Sequence, residues 1–340
     1  MTSSIPKTCT AIVLEEANAP WKFKEVTVPE PQEGEILIKT EACGVCHSDV
    51  FLQEGRWGTF PRIPGHEVIG SVVAVGPGVK KWKVGDRAGG PWHGGHDMTC
   101  GNCDRGLYQM CENELINGIT RDGGYSEYCT LRTEAAVRIP EGVDAAEYAP
   151  LLCAGVTVFN GLRQMKKGPG SVVAIQGLGG LGHLAVQYAA NMGFRTVVLS
   201  TSAAKKDFAH ELGATDYIDS SQKDAAKALQ EMGGADMIAI TAPNPKIMGP
   251  LVAGLAPTGT LLILAPVGEV PIDTTSLILK CLSVRGWNSG HALDSEDTIR
   301  FSQVKGVKCM IERFPFAQAE EAIKKMQENK VRFRGVLVFD

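Results

Sequence analysis

Several things are missing from this chain of 340 residues, and each absence excludes something. The longest strongly apolar run, Leu261 to Ala265, is far too short to cross a bilayer. Met1 to Thr10 lacks the apolar core of a secretory signal. There is no basic excess: 34 Lys and Arg against 38 Asp and Glu give a net charge of −4. Nothing in that balance answers a phosphate backbone, so nucleic acid is not an expected partner. No repeat and no low-complexity tract occurs. Apolar residues at 44% and charged residues at 21% rule out a disordered, collagenous or coiled-coil chain. The expectation is a cytoplasmic protein of two or three domains, without a membrane partner.

What is abundant is cysteine and glycine, with 10 and 39 residues. Both are clustered. Cys43 pairs with Cys46, and Cys100, Cys103 and Cys111 lie close together. In a reducing compartment such clusters point to metal binding or reactivity rather than disulfides.

The texture changes near residue 153. Before it the chain reads as β-rich, with strands at Glu35–Lys39 and Val68–Val75 separated by loops of Gly, Pro, His and Cys. After it, apolar strand runs at Ser171–Ile175, Thr196–Leu199, Tyr217–Ile218, Met237–Ile240 and Thr260–Leu264 alternate with helix-length segments. That alternation predicts βαβ units and a parallel sheet. Beyond Gly286 the pattern weakens. A helix from Phe316 to Gln327 and a strand from Gly335 to Phe339 close the chain.

The turn after the first of these strands is Gly177-Leu178-Gly179-Gly180-Leu181-Gly182. Such a motif alone is a common tight turn. Between a buried strand and a helix it reads as a dinucleotide site, where small residues admit a pyrophosphate to the helix N-terminus. The next strand ends in Ser200-Thr201-Ser202, followed by Lys205 and Lys206, with no acid before Asp207. Hydroxyls and cations suit a 2′-phosphate and a carboxylate would repel it, so NADP(H) is expected.

Cys46, His66 and Cys153 can supply three zinc ligands and leave a fourth position open, as a catalytic site requires. Asp49 could orient the His66 ring through its other nitrogen. Cys100, Cys103 and Cys111 offer a second, closed site. Its fourth ligand is Asp97, which continues the three-residue spacing, or the neighbouring His96. Singly, each of these residues has a plainer reading as a small buried thiol or a core histidine.

Together these residues resemble the zinc-dependent medium-chain alcohol dehydrogenases, in the branch of the cinnamyl and yeast-type enzymes. The carrying motifs are Gly44–Asp49, Pro64–Glu67, the three-cysteine lobe, Cys153–Thr157 and the glycine turn. They span essentially the whole chain. The resemblance implies an α/β protein: a GroES-like β-barrel catalytic domain (residues 1–152 with 287–340, lobe about 94–113) and an inserted Rossmann domain (153–286). It implies two zinc ions per chain and NADP(H). Glu67 would lie beside the catalytic metal as an outer or exchanging ligand. Ser48 would relay the substrate proton and His47 would meet the pyrophosphate. Thr157, Val267 and Arg334 would also contact the cofactor, and Trp57 and Trp92 would line the substrate slot. The implied substrate is a small alcohol, aldehyde or ketone, apolar or aromatic, and the implied assembly a homodimer or homotetramer.

Two departures stand out. Phe51 occupies a position where many relatives carry a proton-relaying histidine, and Asp97 replaces the first of four lobe cysteines. The first lends some weight to reduction of an activated C=C or C=N bond on the same scaffold. A non-catalytic NADPH-binding protein would be expected to have a broken ligand triad, and this triad is intact.

Overall fold

The computed structural model describes residues 5–266 and 268–340. It divides into two compact units. One takes in the chain up to Val156 together with Ser289–Ser302 and Lys308–Asp340; the other comprises Thr157–Asn288 and Gln303–Val307.

The first unit is built on a seven-stranded sheet. Strand Glu35–Gly44 lies within it, pairing antiparallel with Val68–Val75, Tyr128–Arg132 and Arg334–Val338. Its burial explains its length. Ile36, Leu37, Ile38, Ala42 and Cys43 are all buried, so both faces meet packing. The strand runs well past the Lys39 that the apolar run alone delimits, because hydrogen bonds to neighbours carry it on to Gly44. The core beneath holds Ile12, Leu14, Val50, Leu52, Val68 and Tyr125.

The second unit is a six-stranded parallel sheet. In spatial order its strands are Asp216–Asp219, Arg195–Ser200, Val172–Gln176, Ala235–Ile240, Leu255–Ile263 and Ser283–Gly286. The first strand in sequence therefore lies inside the sheet, and the winding reverses between it and the fourth. Ligands bind at such a reversal, beyond the strands' carboxyl ends. Val173, Ala174, Ile175, Ile238, Ala239 and Ile240 are fully buried, as a parallel sheet covered on both faces demands.

One long helix escaped the sequence reading. Ala292–Lys305 is mostly polar, and Asp294, Ser295, Thr298 and Ser302 are nevertheless buried. Thr298 and Ser302 donate their hydroxyls to carbonyls one turn back, which satisfies them without an apolar stripe. Among the described residues no helix is long and apolar enough to cross a membrane.

Candidate active site

Helix His47–Gln53 starts at Cys46, whose amide donates to Asp49 Oδ2 at 2.9 Å. This closure satisfies one orphan donor of the first turn and sets Cys46, His47 and Ser48 on it. His66 and Glu67 lead into strand Val68–Val75, and Cys153 precedes helix Ala154–Gln164. These segments bring one ligand atom each from Cys46, His66, Glu67 and Cys153 within 4.8 Å of one another. Ser48 Oγ lies 3.7 Å from Cys46 Sγ. His47 is exposed at the same turn.

The electrostatics of this group call for a cation. Both ring nitrogens of His66, Glu67 Oε2 and Asp49 Oδ1 are buried without a hydrogen-bond partner. Each such atom costs about 1–3 kcal/mol, and more if charged. Asp49 Oδ1 stands 3.3 Å from His66 Nδ1 without hydrogen-bond alignment. Burial alone would lower the His66 pKa, yet the charges of Asp49 and Cys46 hold it well above the usual imidazole value. The hydrogen bond from Cys153 and the nearby His66 and Arg334 hold the Cys46 thiol well down, while sharing with Cys46 pushes Cys153 up. Burial raises Glu67 to about 8 against the pull of Arg334. Two sulfurs, an imidazole and a carboxylate at this spacing are a donor set zinc accepts.

Arg334 lies on the closing strand, and its Nη2 donates to Glu67 Oε1, both side chains being buried. The two are 267 positions apart, and no local sequence signal announces the pair. The guanidinium expected at a pyrophosphate is thus engaged by a carboxylate of the ligand group.

The lobe forms the second group. Asp97, Cys100, Cys103 and Cys111 also bring ligand atoms within 4.8 Å. Asp97 Oδ1 accepts from the amides of Thr99 at 2.8 Å and Cys100 at 3.3 Å, and Oδ2 accepts from Asn113 Nδ2 at 2.6 Å. Asn113 and the Thr99 amide hold this carboxyl well below its ordinary range. His96 goes elsewhere. Its Nδ1 lies 3.0 Å from His93 Nε2, and His93 Nδ1 lies 2.9 Å from Glu114 Oε1. Of the two candidates for fourth ligand, the structure brings Asp97 to the thiols. The His96–His93–Glu114 string was not foreseen, since the sequence offered His96 only as an alternative ligand and gave no signal for His93 or Glu114.

In the second unit the glycine turn links strand Val172–Gln176 to helix Gly182–Asn191, at the point where the winding reverses. Gly177 has φ +94°, and a Cβ there would fall 2.7 Å from Ala242 Cβ. A Cβ on Gly182 would strike the Gly177 carbonyl. At Gly179 it would meet nothing, so that glycine leaves open space beside the turn. Thr241 Oγ1 donates to the Gln176 carbonyl at 2.8 Å and steadies the turn from the fourth strand. Ser200 is buried at its strand end, and Thr201 and Lys205 are exposed. Lys205 Nζ reaches the Leu178 carbonyl at 3.5 Å, which brings the expected phosphate-reading lysine to the glycine turn. Thr157 lies on helix Ala154–Gln164. Val267 lies outside the described residues.

Residues 32–141 match the alcohol dehydrogenase GroES-like domain, and residues 180–303 the zinc-binding dehydrogenase domain. The chain is 54% identical to alcohol dehydrogenase patD of Penicillium expansum over 99% of both chains. The chain belongs to the zinc-type medium-chain alcohol dehydrogenases. Its fold is accordingly a GroES-like domain with a Rossmann-type domain. A cinnamyl alcohol dehydrogenase of Sorghum bicolor superposes with a TM-score of 0.88 at 30% identity, covering 98% of each chain. Acetophenone reductase of Geotrichum candidum, solved with NAD, gives 0.88 at 26% identity over 99% and 98%. Membership makes this chain an oxidoreductase of small molecules, in a family described as zinc-binding dehydrogenases, whose solved relatives include one bound to NAD.

The surroundings of the ligand group are aromatic. The Trp92 ring meets His66 edge to face with centroids 5.0 Å apart. Trp57 follows at 5.9 Å from Trp92, and Phe51 at 4.9 Å from Trp57. The strip ends at Arg56, whose guanidinium lies 4.0 Å from the Phe51 centroid.

Proposed function

We propose that this protein is a zinc-dependent, NADP(H)-dependent reductase of aldehydes or ketones with apolar or aromatic bodies, with two zinc sites per chain. The observation that carries the reading is the convergence of Cys46, His66, Glu67 and Cys153 beside the Ser48 hydroxyl and the Trp92–Trp57–Phe51 strip. When bound, zinc supplies a Lewis acid for the substrate oxygen and the nicotinamide exchanges hydride. Cys46, His66 and Cys153 would hold the metal, with Glu67 tethered to Arg334 at its edge. Ser48 is the hydroxyl that passes the substrate proton. The proton leaves by a route other than Phe51, which has no ionisable group. Trp92 and Trp57 exclude water and hold an apolar body flat. Asp97, Cys100, Cys103 and Cys111 would hold the second ion.

The NADP(H) preference is supported by Ser200, Thr201, Ser202 and Lys205 around the end of the second Rossmann strand. Each charge-assisted bond to a 2′-phosphate is worth about 1.5–3 kcal/mol, so two favour NADPH over NADH by about 10²–10⁴-fold. Steady-state kcat/KM with both cofactors over a panel of aldehydes, ketones and enones tests the whole reading. Ser200→Asp should reverse the preference, and Lys205→Ala should weaken NADPH alone. A parent that prefers NADH would remove the NADP assignment. An enone consumed faster than every aldehyde would give the site to C=C reduction.

The assembly we propose is a dimer or tetramer of identical chains. Strand Ser283–Gly286 is an edge of the six-stranded sheet, and Ile278 and Leu279, just before it, are 76% and 78% exposed. Sedimentation of a Leu279→Glu variant against the parent tests this pairing.

A further inference from the structure

Tyr125 is fully buried, and its hydroxyl donates to Asp49 Oδ2 at 2.9 Å. The same oxygen accepts the Cys46 amide, also at 2.9 Å. Two donors fill Oδ2, and the carboxylate cannot turn about its own axis without losing both. Oδ1 is left as the oxygen that faces His66 Nδ1, at 3.3 Å. The backbone around Tyr125 grips the other partner. Gly123 N, Gly124 N and Tyr125 N donate to the carbonyls of Ile63, Gly65 and Pro64 at 2.8, 2.8 and 2.9 Å. These three residues run directly into His66. The ring leaves no slack: a Cβ on Gly65 would fall 2.6 Å from Tyr125 Cδ1.

We infer that Tyr125 is a positioning residue of the metal centre, which clamps the chain carrying His66 to the carboxylate of Asp49 and so fixes the angle at which His66 presents its other nitrogen. This rests on the reading of Cys46, His66, Glu67 and Cys153 as that centre. Burial and the Asp49 charge push the phenol pKa well up, so the hydroxyl stays a donor at any working pH. A partner that orients a ligating histidine typically governs metal affinity or activity by about 10–100-fold. Tyr125 acts one step further out, through Asp49, and the lower end of that range applies. A purely packing role would need the ring but not the hydroxyl.

Tyr125→Phe keeps the ring and removes only the donor. The experiment loads the parent, Tyr125→Phe, Asp49→Asn and the double variant with zinc and follows release to a chromophoric chelator. The kcat and the KM for NADPH are measured alongside. Tyr125→Phe is expected to speed one release phase by about tenfold and leave the lobe's phase unchanged. It should lower kcat without raising the KM for NADPH. In the Asp49→Asn background it should add less than about twofold, because residues acting through one contact are not additive. Release and kcat like the parent's, or effects that multiply in the double variant, would overturn the inference. A parent that yields a single zinc, from the lobe, would instead overturn the reading of the centre itself.

Discussion

The two cysteine-rich groups of the first unit have similar ligand spacing and opposite internal economies. In the Cys46 group the carboxylate and imidazole atoms are buried and unpaired on the side where the ligands meet. In the lobe, Asp97 already accepts hydrogen bonds from two amides and an asparagine. One group is an incomplete polar site whose donor set suits a cation. The other is a loop that is largely hydrogen-bonded from within, onto which an ion can be added. The difference teaches that equal ligand geometry does not mean equal dependence on the metal, for structure or for chemistry.

The strongest way to break this comparison is to remove a sulfur from the first group. Cys153→Ser should cut kcat by about 10³-fold or more, since Lewis-acid stabilisation is worth several kcal/mol. NADPH binding, followed by fluorescence titration, should be nearly intact. Normal turnover in a variant verified as metal-free would show that the two groups do not differ in this way.

A smaller effect is expected in the lobe. Asp97→Ala should lower the metal content towards one ion per chain and reduce Tm, because the variant also loses the hydrogen bonds that Asp97 accepts. Asp97→Asn sharpens the point. Its amide oxygen can still accept from Thr99 and Cys100, so Tm should fall less while metal is lost equally. Two tightly held ions in both variants would take Asp97 off the ligand list. The mildest change is Asn113→Ala, which frees Asp97 Oδ2. It should speed zinc loss from the lobe by about tenfold, the lower end of what one hydrogen bond to a charged group is worth, because this one is exposed.

The sequence made the parts of the molecule that repeat or cluster readable. Val68–Val75 came out with its observed ends, and the alternating runs after residue 170 correspond to five of the six strands of the parallel sheet. Apolar periodicity and glycine punctuation are local signals, and these elements depend on local signals. Ser283–Gly286 was missed because an exposed edge strand has no buried pattern. In the candidate site, the lobe's ligand residues were visible from their spacing, and Cys46, His66 and Cys153 from their residue types and the family resemblance. Asp49 apart, their supports were not. Tyr125 lies 76 positions from Asp49, and Arg334 lies 267 from Glu67. Such partners are chosen by the fold after distant strands pair, and no window along the chain holds both.

The lobe's crowding has a chemical side. Cys100 and Cys111 hold their sulfurs 3.9 Å apart. A disulfide bond is about 2.05 Å long, so only a modest approach separates two ligands from a covalent pair. Two-electron oxidation by a peroxide would join them and remove two of the four donors in one step. The ion would leave, and Asp97 would keep its amides and the shape of the turn. Thiol reduction would then reopen a loop already folded to receive zinc again. The replacement of a cysteine by aspartate thus leaves one ligand that an oxidant cannot take.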